Sequence, residues 1–296
     1  MLSLYWYRTE TNFGDAFSPM AVRYCFGTTV CPAGKWGAEL VAEGSVLGFT
    51  LFRDMLDLNP FQKGILATRA FANRILRRPL TVWGSGLMFP INAPRSKVMI
   101  RRPQFFALRG ERTRQELIAA GMLDRGCEVA LGDPGIFMPE VLGLCSRQQG
   151  PLGFVVHAFH WQSGFVEAYH REHPEIRLID PRQSPKVVAS EIAGCSAIYS
   201  SSLHGLVVAD ALGIPNRWVA LETPYATRLL NRFKFDDYYS AFGIRREPCT
   251  IREISEAPVY DPISQDALRA AKKALKDSAV GSLAGISEEG VRKEQK

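Results

Sequence analysis

At 296 residues, 46% hydrophobic and 22% charged, the chain is long enough for two ordinary domains and apolar enough to fold, which excludes a disordered or peptide-like role. Its net charge of +6 and pI near 9.0 fit anionic partners, but its basic clusters are short: Arg74 with Arg77 and Arg78, Lys97 with Arg101 and Arg102, Arg245 with Arg246. No zinc-finger spacing, basic helix or RNP motif accompanies them, so nucleic acid is not an expected partner and solvated faces are the plainer reading. Six dispersed cysteines without a C-x-x-C pair argue against structural zinc and a disulfide framework, which makes a reducing cytoplasm the default. No signal-like start and no run of roughly 18 to 20 apolar residues occurs, so a membrane would be touched only from its surface.

The chain opens on an apolar strand, Leu2 to Tyr7, that runs into Thr11-Asn12-Phe13-Gly14-Asp15, with a helix expected from Ser18-Pro19. Val46 to Phe49 and Leu80 to Trp83 read as further buried strands, the second ending at Gly84-Ser85-Gly86, where backbone can approach a ligand. Gln104 to Leu108 predicts a strand, Glu111 to Ala120 a helix stopped by Gly121, and Val129 to Leu131 a strand leading into Gly132-Asp133-Pro134. A polar, Gly- and Pro-containing stretch from Cys145 to Leu152, including Gln148, marks a linker.

The alternation then restarts. Strands are expected at Phe154 to Val156, Arg177 to Ile179, Ala197 to Tyr199 and Arg217 to Leu221, and helices at Gly164 to His173, Ser184-Pro185 to Ile192 and Leu206 to Leu212. The expected fold class is α/β, with two Rossmann-like domains facing a cleft: 1–147, then 148–262, a C-terminal helix over 263–280 and a flexible tail over 281–296.

Several polar groups fall at strand ends on that cleft. Ser200-Ser201-Ser202-Leu203-His204-Gly205 follows a strand and opens an apolar helix, so hydroxyls and free backbone N–H groups at a helix N-terminus suit a phosphate or carboxylate, with His204 as an acid or base beside them. A serine N-cap with a packed histidine explains the same residues equally well. Asn12, Gly14 and Asp15 form a second polar loop, or an Asx turn. Arg109 after the strand ending at Leu108 suits bidentate pairing with an anion, or a surface ion pair. His157 and His160 could form an H-x-x-H metal pair, but no third ligand is evident, so no metal is expected. A Ser202-His204-Asp210 hydrolase is disfavoured, because helical spacing turns Asp210 away and no G-x-S-x-G elbow is present.

In order and spacing these motifs resemble the polysaccharide pyruvyl transferase family, particularly its exopolysaccharide ketal-pyruvate branch. The resemblance runs from Tyr5 to about Gly243 through Asn12-Phe13-Gly14-Asp15, Trp83-Gly84-Ser85-Gly86, Leu108-Arg109-Gly110 with Thr113, Gly132-Asp133-Pro134, Val156-His157, Ile179-Asp180-Pro181, Ser200 to Pro215, and Lys234-Phe235 to Ser240. It implies a GT-B-like fold, phosphoenolpyruvate as donor, and a saccharide acceptor of a surface polysaccharide or its lipid-linked precursor. It implies no required metal or nicotinamide, and a cytoplasmic site compatible with peripheral contact at the inner membrane surface.

In that reading His204 is the catalytic acid. Arg109, Ser200, Ser201 and Ser202 bind the donor's anion, and Asn12, Gly14, Asp15, Ser85 and His157 line the substrate site. Other branches hold an arginine two residues before the histidine, where this chain has Ser202, so the phosphate clamp must come from elsewhere. A GT-B-type glycosyltransferase using a nucleotide-sugar donor is the alternative, and a non-catalytic carbohydrate-binding factor of the same fold is a third class.

Overall fold

Short apolar runs closed by polar turns have too little length for amphipathic helices and collect instead into buried parallel sheets. In the computed structural model, residues 1–9, 11–54, 59–76, 79–91, 97–99, 101–147, 149–161, 164–221 and 228–294 are described. The linker residue Gln148 and the basic-cluster residues Arg77 and Arg78 lie outside them.

The first half contains β1 (Leu2–Tyr5), α1 (Phe13–Phe26), β2 (Val30–Pro32), β3 (Leu40–Val41), α2 (Leu47–Leu51), β4 (Phe52–Asp54), α3 (Pro60–Leu76), β5 (Leu80–Val82), β6 (Lys97–Met99), β7 (Pro103–Phe105), β8 (Ala107–Leu108), α4 (Glu111–Ala119), β9 (Ala130–Leu131) and α5 (Met138–Leu142). The second half contains β10 (Leu152–Val155), α6 (Phe165–Glu172), β11 (Arg177–Ile179), α7 (Pro185–Ala193), β12 (Ala197–Ser200), α8 (Leu203–Leu212), β13 (Asn216–Trp218), α9 (Arg228–Ser240) and α10 (Gln265–Glu294).

Each half carries a parallel sheet, in the order β2-β1-β3-β5-β7 in the first and β11-β10-β12-β13 in the second, so the expected α/β class holds. A parallel β8–β9 pair and an antiparallel β4–β6 ribbon accompany the first sheet.

Several boundaries differ from expectation for local reasons. Helix α1 starts at Phe13 rather than Ser18-Pro19, because the Asn12 side chain accepts the Gly14 N–H at 3.0 Å and so supplies the N-cap. Pro19 therefore sits inside the helix. The expected strand Val46 to Phe49 is the N-cap and first residues of α2, and the true strand is the earlier β3, separated from it by Gly44 at φ +96°. Gln104 to Leu108 splits, with β7 joining the first sheet and β8 pairing with β9. The tail expected over 281–296 is instead helical as far as Glu294.

Helix α8 begins at Leu203, not Leu206, which brings His204 into its first turn.

Each half keeps an apolar cluster of its own, around Leu47, Val82 and Leu117 in the first and Phe154, Tyr169 and Val219 in the second, and a larger cluster joins the two. That larger cluster contains Phe13 and Phe17 of α1, Phe137 and Met138 at α5, Val188 and Ile192 of α7, and Leu206 and Val207 of α8. Helix α10 returns to the first half, where Leu275 packs in the same cluster and its carbonyl accepts the Trp83 indole N–H at 3.0 Å. The chain boundary near 148 is thus bridged by buried apolar surface, which holds the loops of both sheets at a fixed separation.

Candidate active site

Where the loops of the two sheets meet, His204 is clasped by both halves. The end of β12 is tight: Ser200 Oγ accepts the Ser202 N–H at 3.1 Å, and a Cβ on Gly205 would lie 2.3 Å from that oxygen. This close packing sets the start of α8, with Ser202 as its N-cap. The His204 ring then lies on the α1 backbone, where a Cβ on Gly14 would stand 1.8 Å from Nδ1, so only glycine fits there. The edge of Phe13 closes another side, with ring centroids 6.2 Å apart at 77°.

The other ring nitrogen faces acids. His204 Nε2 is 3.4 Å from Glu43 Oε1 and 3.9 Å from Asp133 Oδ1. Glu43 follows β3; Asp133 caps the turn Pro134–Phe137 by accepting the Gly135 N–H at 2.9 Å. Both glutamate oxygens, Asp133 Oδ2 and His204 Nε2 are buried without a hydrogen-bond partner. Such groups are costly to leave unpaired, and native interiors hold few of them.

Burial drives the Glu43 carboxyl well above its usual range, and the negative charges of Asp133 and Asp15 push it further. Burial also lowers His204; Asp133 opposes that shift, whereas Lys234 and Arg109 add to it. Both directions disfavour a glutamate anion beside an imidazolium and favour a proton on the carboxyl beside a neutral ring.

Two more ionisable groups act on the cluster. Asp15, in the first turn of α1, is raised to about 7, mainly by burial, with Lys234 lowering it and Asp133 raising it. Lys234 on α9 is 8% exposed and is lowered to about 8 by burial and by Arg109. Its positive charge also acts on His157 and His160.

Among the described residues, Glu43, Asp133 and His204 are the group whose type and spacing could take a metal ion, with ligand atoms within 4.8 Å of one another; the His157–His160 pair is not part of it. The charges bearing on the His204 imidazole are of both signs, with Asp133 opposed by the cations Lys234 and Arg109.

The family model of polysaccharide pyruvyl transferase matches residues 57–223, more than half the chain. The chain belongs to that family. Among curated proteins, the succinoglycan biosynthesis protein ExoV of Rhizobium meliloti (strain 1021) is 30% identical over 126 residues, or 41% of this chain and 37% of that protein. An uncharacterised protein of Acanthamoeba polyphaga mimivirus is 29% identical over 131 residues, or 40% and 42%. The match spans about two fifths of the length of these relatives. Among solved structures, a Methanocaldococcus jannaschii UDP-GlcNAc 2-epimerase in complex with UDP-GlcNAc and UDP aligns over 85% of this chain and 76% of its own, at 10% identity and a TM-score of 0.38.

In this pyruvyl transferase family member the expected site residues separate into two sets. Gly14 and His204 meet as described, Asp15 acts on Glu43 from the first turn of α1, and Asn12 caps that helix, while the Phe13 N–H crosses to the Pro181 carbonyl at 2.8 Å. His157 stands at the same junction, its backbone N–H donating to Ser201 Oγ at 2.9 Å. Burial first, then Lys234, His160 and His204, hold its imidazole well below the usual range. Ser200, Ser201 and Ser202 are buried, and the hydroxyls of Ser200 and Ser201 are engaged with backbone. Ser85 is also buried; its hydroxyl donates to the Gly44 carbonyl at 2.9 Å and braces the loop after Glu43.

Arg109 departs most from its expected role. Rather than standing open for an anion it is fully buried, and each guanidinium nitrogen has an internal acceptor: Asp237 Oδ2 at 2.9 Å, Ser45 Oγ at 2.5 Å and the Leu87 carbonyl at 2.6 Å. Asp237 in turn accepts the Thr113 N–H and hydroxyl, both at 2.7 Å. A strand-end arginine reads alike in sequence whether its partner is a ligand or an aspartate from α9. Asp210 does turn away from His204, toward Asn216, Arg246 and Tyr238.

Glu43 stands in none of the motifs read from the sequence, and Asp133 and Lys234 stand there only as members of motifs. Glu43-Gly44-Ser45 repeats the polar, glycine-containing strand ending seen at Asn12 to Asp15, a signal hidden by placing the strand too late. Lys234 opens one of the sequence motifs, but its burial comes from tertiary packing and has no local signal.

Proposed function

We propose that the protein transfers the pyruvyl unit of phosphoenolpyruvate to a sugar of a surface polysaccharide or its lipid-linked precursor, forming a ketal and releasing phosphate at the cytoplasmic face of the membrane. The observation that carries this reading is the unsatisfied Glu43–Asp133–His204 cluster with Lys234 acting on it, in a chain of this family. A pyruvyl transfer needs a proton for carbon and a cation for an anionic donor, and these residues supply both kinds of group.

The steps follow from the charges. Lys234 and the backbone N–H groups at the start of α8 attract the donor's phosphate and carboxylate. The added negative charge raises the affinity of His204 for a proton, which Glu43 holds nearby. His204 delivers that proton to the methylene carbon, leaving oxocarbenium character at C2. A sugar hydroxyl adds to C2 and gives its proton to a carboxylate of the site, Glu43 or Asp15. The C2–O bond to phosphate then breaks, and a second hydroxyl closes the ketal at C2 while its proton passes to the departing phosphate.

The test is incubation of the purified protein with phosphoenolpyruvate and isolated lipid-linked oligosaccharide, followed by mass analysis of the glycan and assay of free phosphate. One ketal added per phosphate released supports the reading. No ketal, together with glycosyl transfer from one of a nucleotide-sugar panel, replaces it with the glycosyltransferase reading.

A further inference from the structure

Helix α3 presents an apolar face that nothing covers among the described residues. It is well founded as a helix: the Asn59 side chain accepts the Gln62 N–H at 2.9 Å, Gln62 Oε1 accepts the Asn59 N–H at 3.1 Å, and Pro60 stands at the first helical position. Its inner side is Leu66, Ala70 and Asn73, half-buried or buried, and the Arg69 guanidinium lies 5.1 Å from the Trp36 ring centroid. On the far side Phe61 is 76% exposed, Phe71 64%, Ile75 58% and Ile65 52%. At about 100° per residue these four fall within an arc of roughly 120°, opposite the buried side. They extend along roughly 20 Å of helix.

The charged residues of α3 are all basic, and from Leu58 to Gly110 the sequence has no Asp or Glu, although of its ten Lys and Arg the pair Arg101 and Arg109 is buried. Exposed Lys63 and Arg69 flank the apolar arc on α3 itself.

We infer that α3 docks this protein on an anionic lipid bilayer, lying in the interfacial plane with Phe61, Ile65, Phe71 and Ile75 inserted among the acyl chains. An apolar stripe along the full length of a helix with cations beside it matches an in-plane interfacial helix, and the exposed Lys63 and Arg69 complement anionic headgroups. A second copy is a poor occupant, because a two-fold pairing would set these cations against their own counterparts. A protein groove fits less well, because small residues (Gly64, Ala67, Thr68, Ala72) separate the large ones, and a fluid surface fills such gaps without shape matching. No helix among the described residues is long and apolar enough to cross a membrane, so the contact is peripheral.

The test is co-sedimentation of the full chain with phosphatidylcholine vesicles, with and without about 30% phosphatidylglycerol, and does not depend on any transfer activity. Binding to the anionic vesicles is expected, weakened by added salt and by Lys63→Glu. The double variant Phe61→Ser/Phe71→Ser should bind at least about tenfold less. These side chains are exposed, so circular dichroism and the melting temperature should not change. Equal binding to both vesicle types, no binding, or unchanged binding of the double variant would overturn the inference. So would a dimer in solution that Phe61→Ser/Phe71→Ser dissociates, or binding to an acidic protein in place of vesicles.

Discussion

Two buried charged clusters lie at the junction of the halves and differ in one respect. Around Arg109, every nitrogen of the guanidinium and both oxygens of Asp237 have partners, drawn from α4, α9 and the loops at Ser45 and Leu87. Around His204, Nε2, both Glu43 oxygens and one Asp133 oxygen have none. The first arrangement holds the structure together; the second retains bonding capacity for a reacting molecule. Saturation, more than charge or burial, separates a structural ion pair from a site.

Breaking the saturated cluster should have the largest effect on the fold. Arg109→Ala strands Asp237 as an unpaired buried acid and should reduce unfolding stability by about 3 to 5 kcal/mol in urea denaturation. A loss below about 1 kcal/mol would make the clamp dispensable. The unsaturated cluster should behave in the opposite way. His204→Ala should remain folded and lose at least about a hundredfold in kcat. Glu43→Gln should raise the melting temperature at pH 8, where the native carboxyl comes under pressure to ionise, and yet lower kcat; a variant both less stable and fully active would contradict its place in the site.

Smaller effects follow from Lys234 and Asp15. Burial lowers the Lys234 ammonium from an ordinary 10.5 to about 8 in the folded chain, so between those values the unfolded chain holds more protons and the penalty of burying this cation eases as pH rises. Its function runs the other way: the KM for phosphoenolpyruvate should climb above pH 8 as the cation is lost, and Lys234→Met should raise KM and flatten that climb. A KM unchanged by the substitution would remove Lys234 from the anion site. Asp15 is raised from 3.8 to about 7, so its ionisation weakens the fold as pH rises across that window. Asp15→Asn should therefore stabilise more at pH 8 than at pH 5 in paired melting curves.

The same comparison shows what the sequence could reveal. The parallel α/β rhythm was legible because short apolar runs and capping residues are local signals, and Ser184-Pro185 and Arg177 to Ile179 fall where the pattern puts them. His204 and the Asn12 to Asp15 loop were legible as polar groups at strand ends. Glu43 was obscured by a misplaced strand, and Lys234 by its dependence on packing between halves. Arg109 was visible but ambiguous, because its partner Asp237 lies 128 residues away in sequence. Whether a buried group is saturated depends on such distant contacts, so the distinction emerges only in three dimensions.

The most direct measurement is phosphate release from phosphoenolpyruvate by wild type and His204→Ala, side by side, with acceptor glycan present and near-ultraviolet circular dichroism confirming both folds. The expected result is acceptor-dependent release by wild type and a folded variant slower by at least about a hundredfold. Near-normal release by folded His204→Ala would contradict the assignment of the unsaturated cluster as the reacting centre.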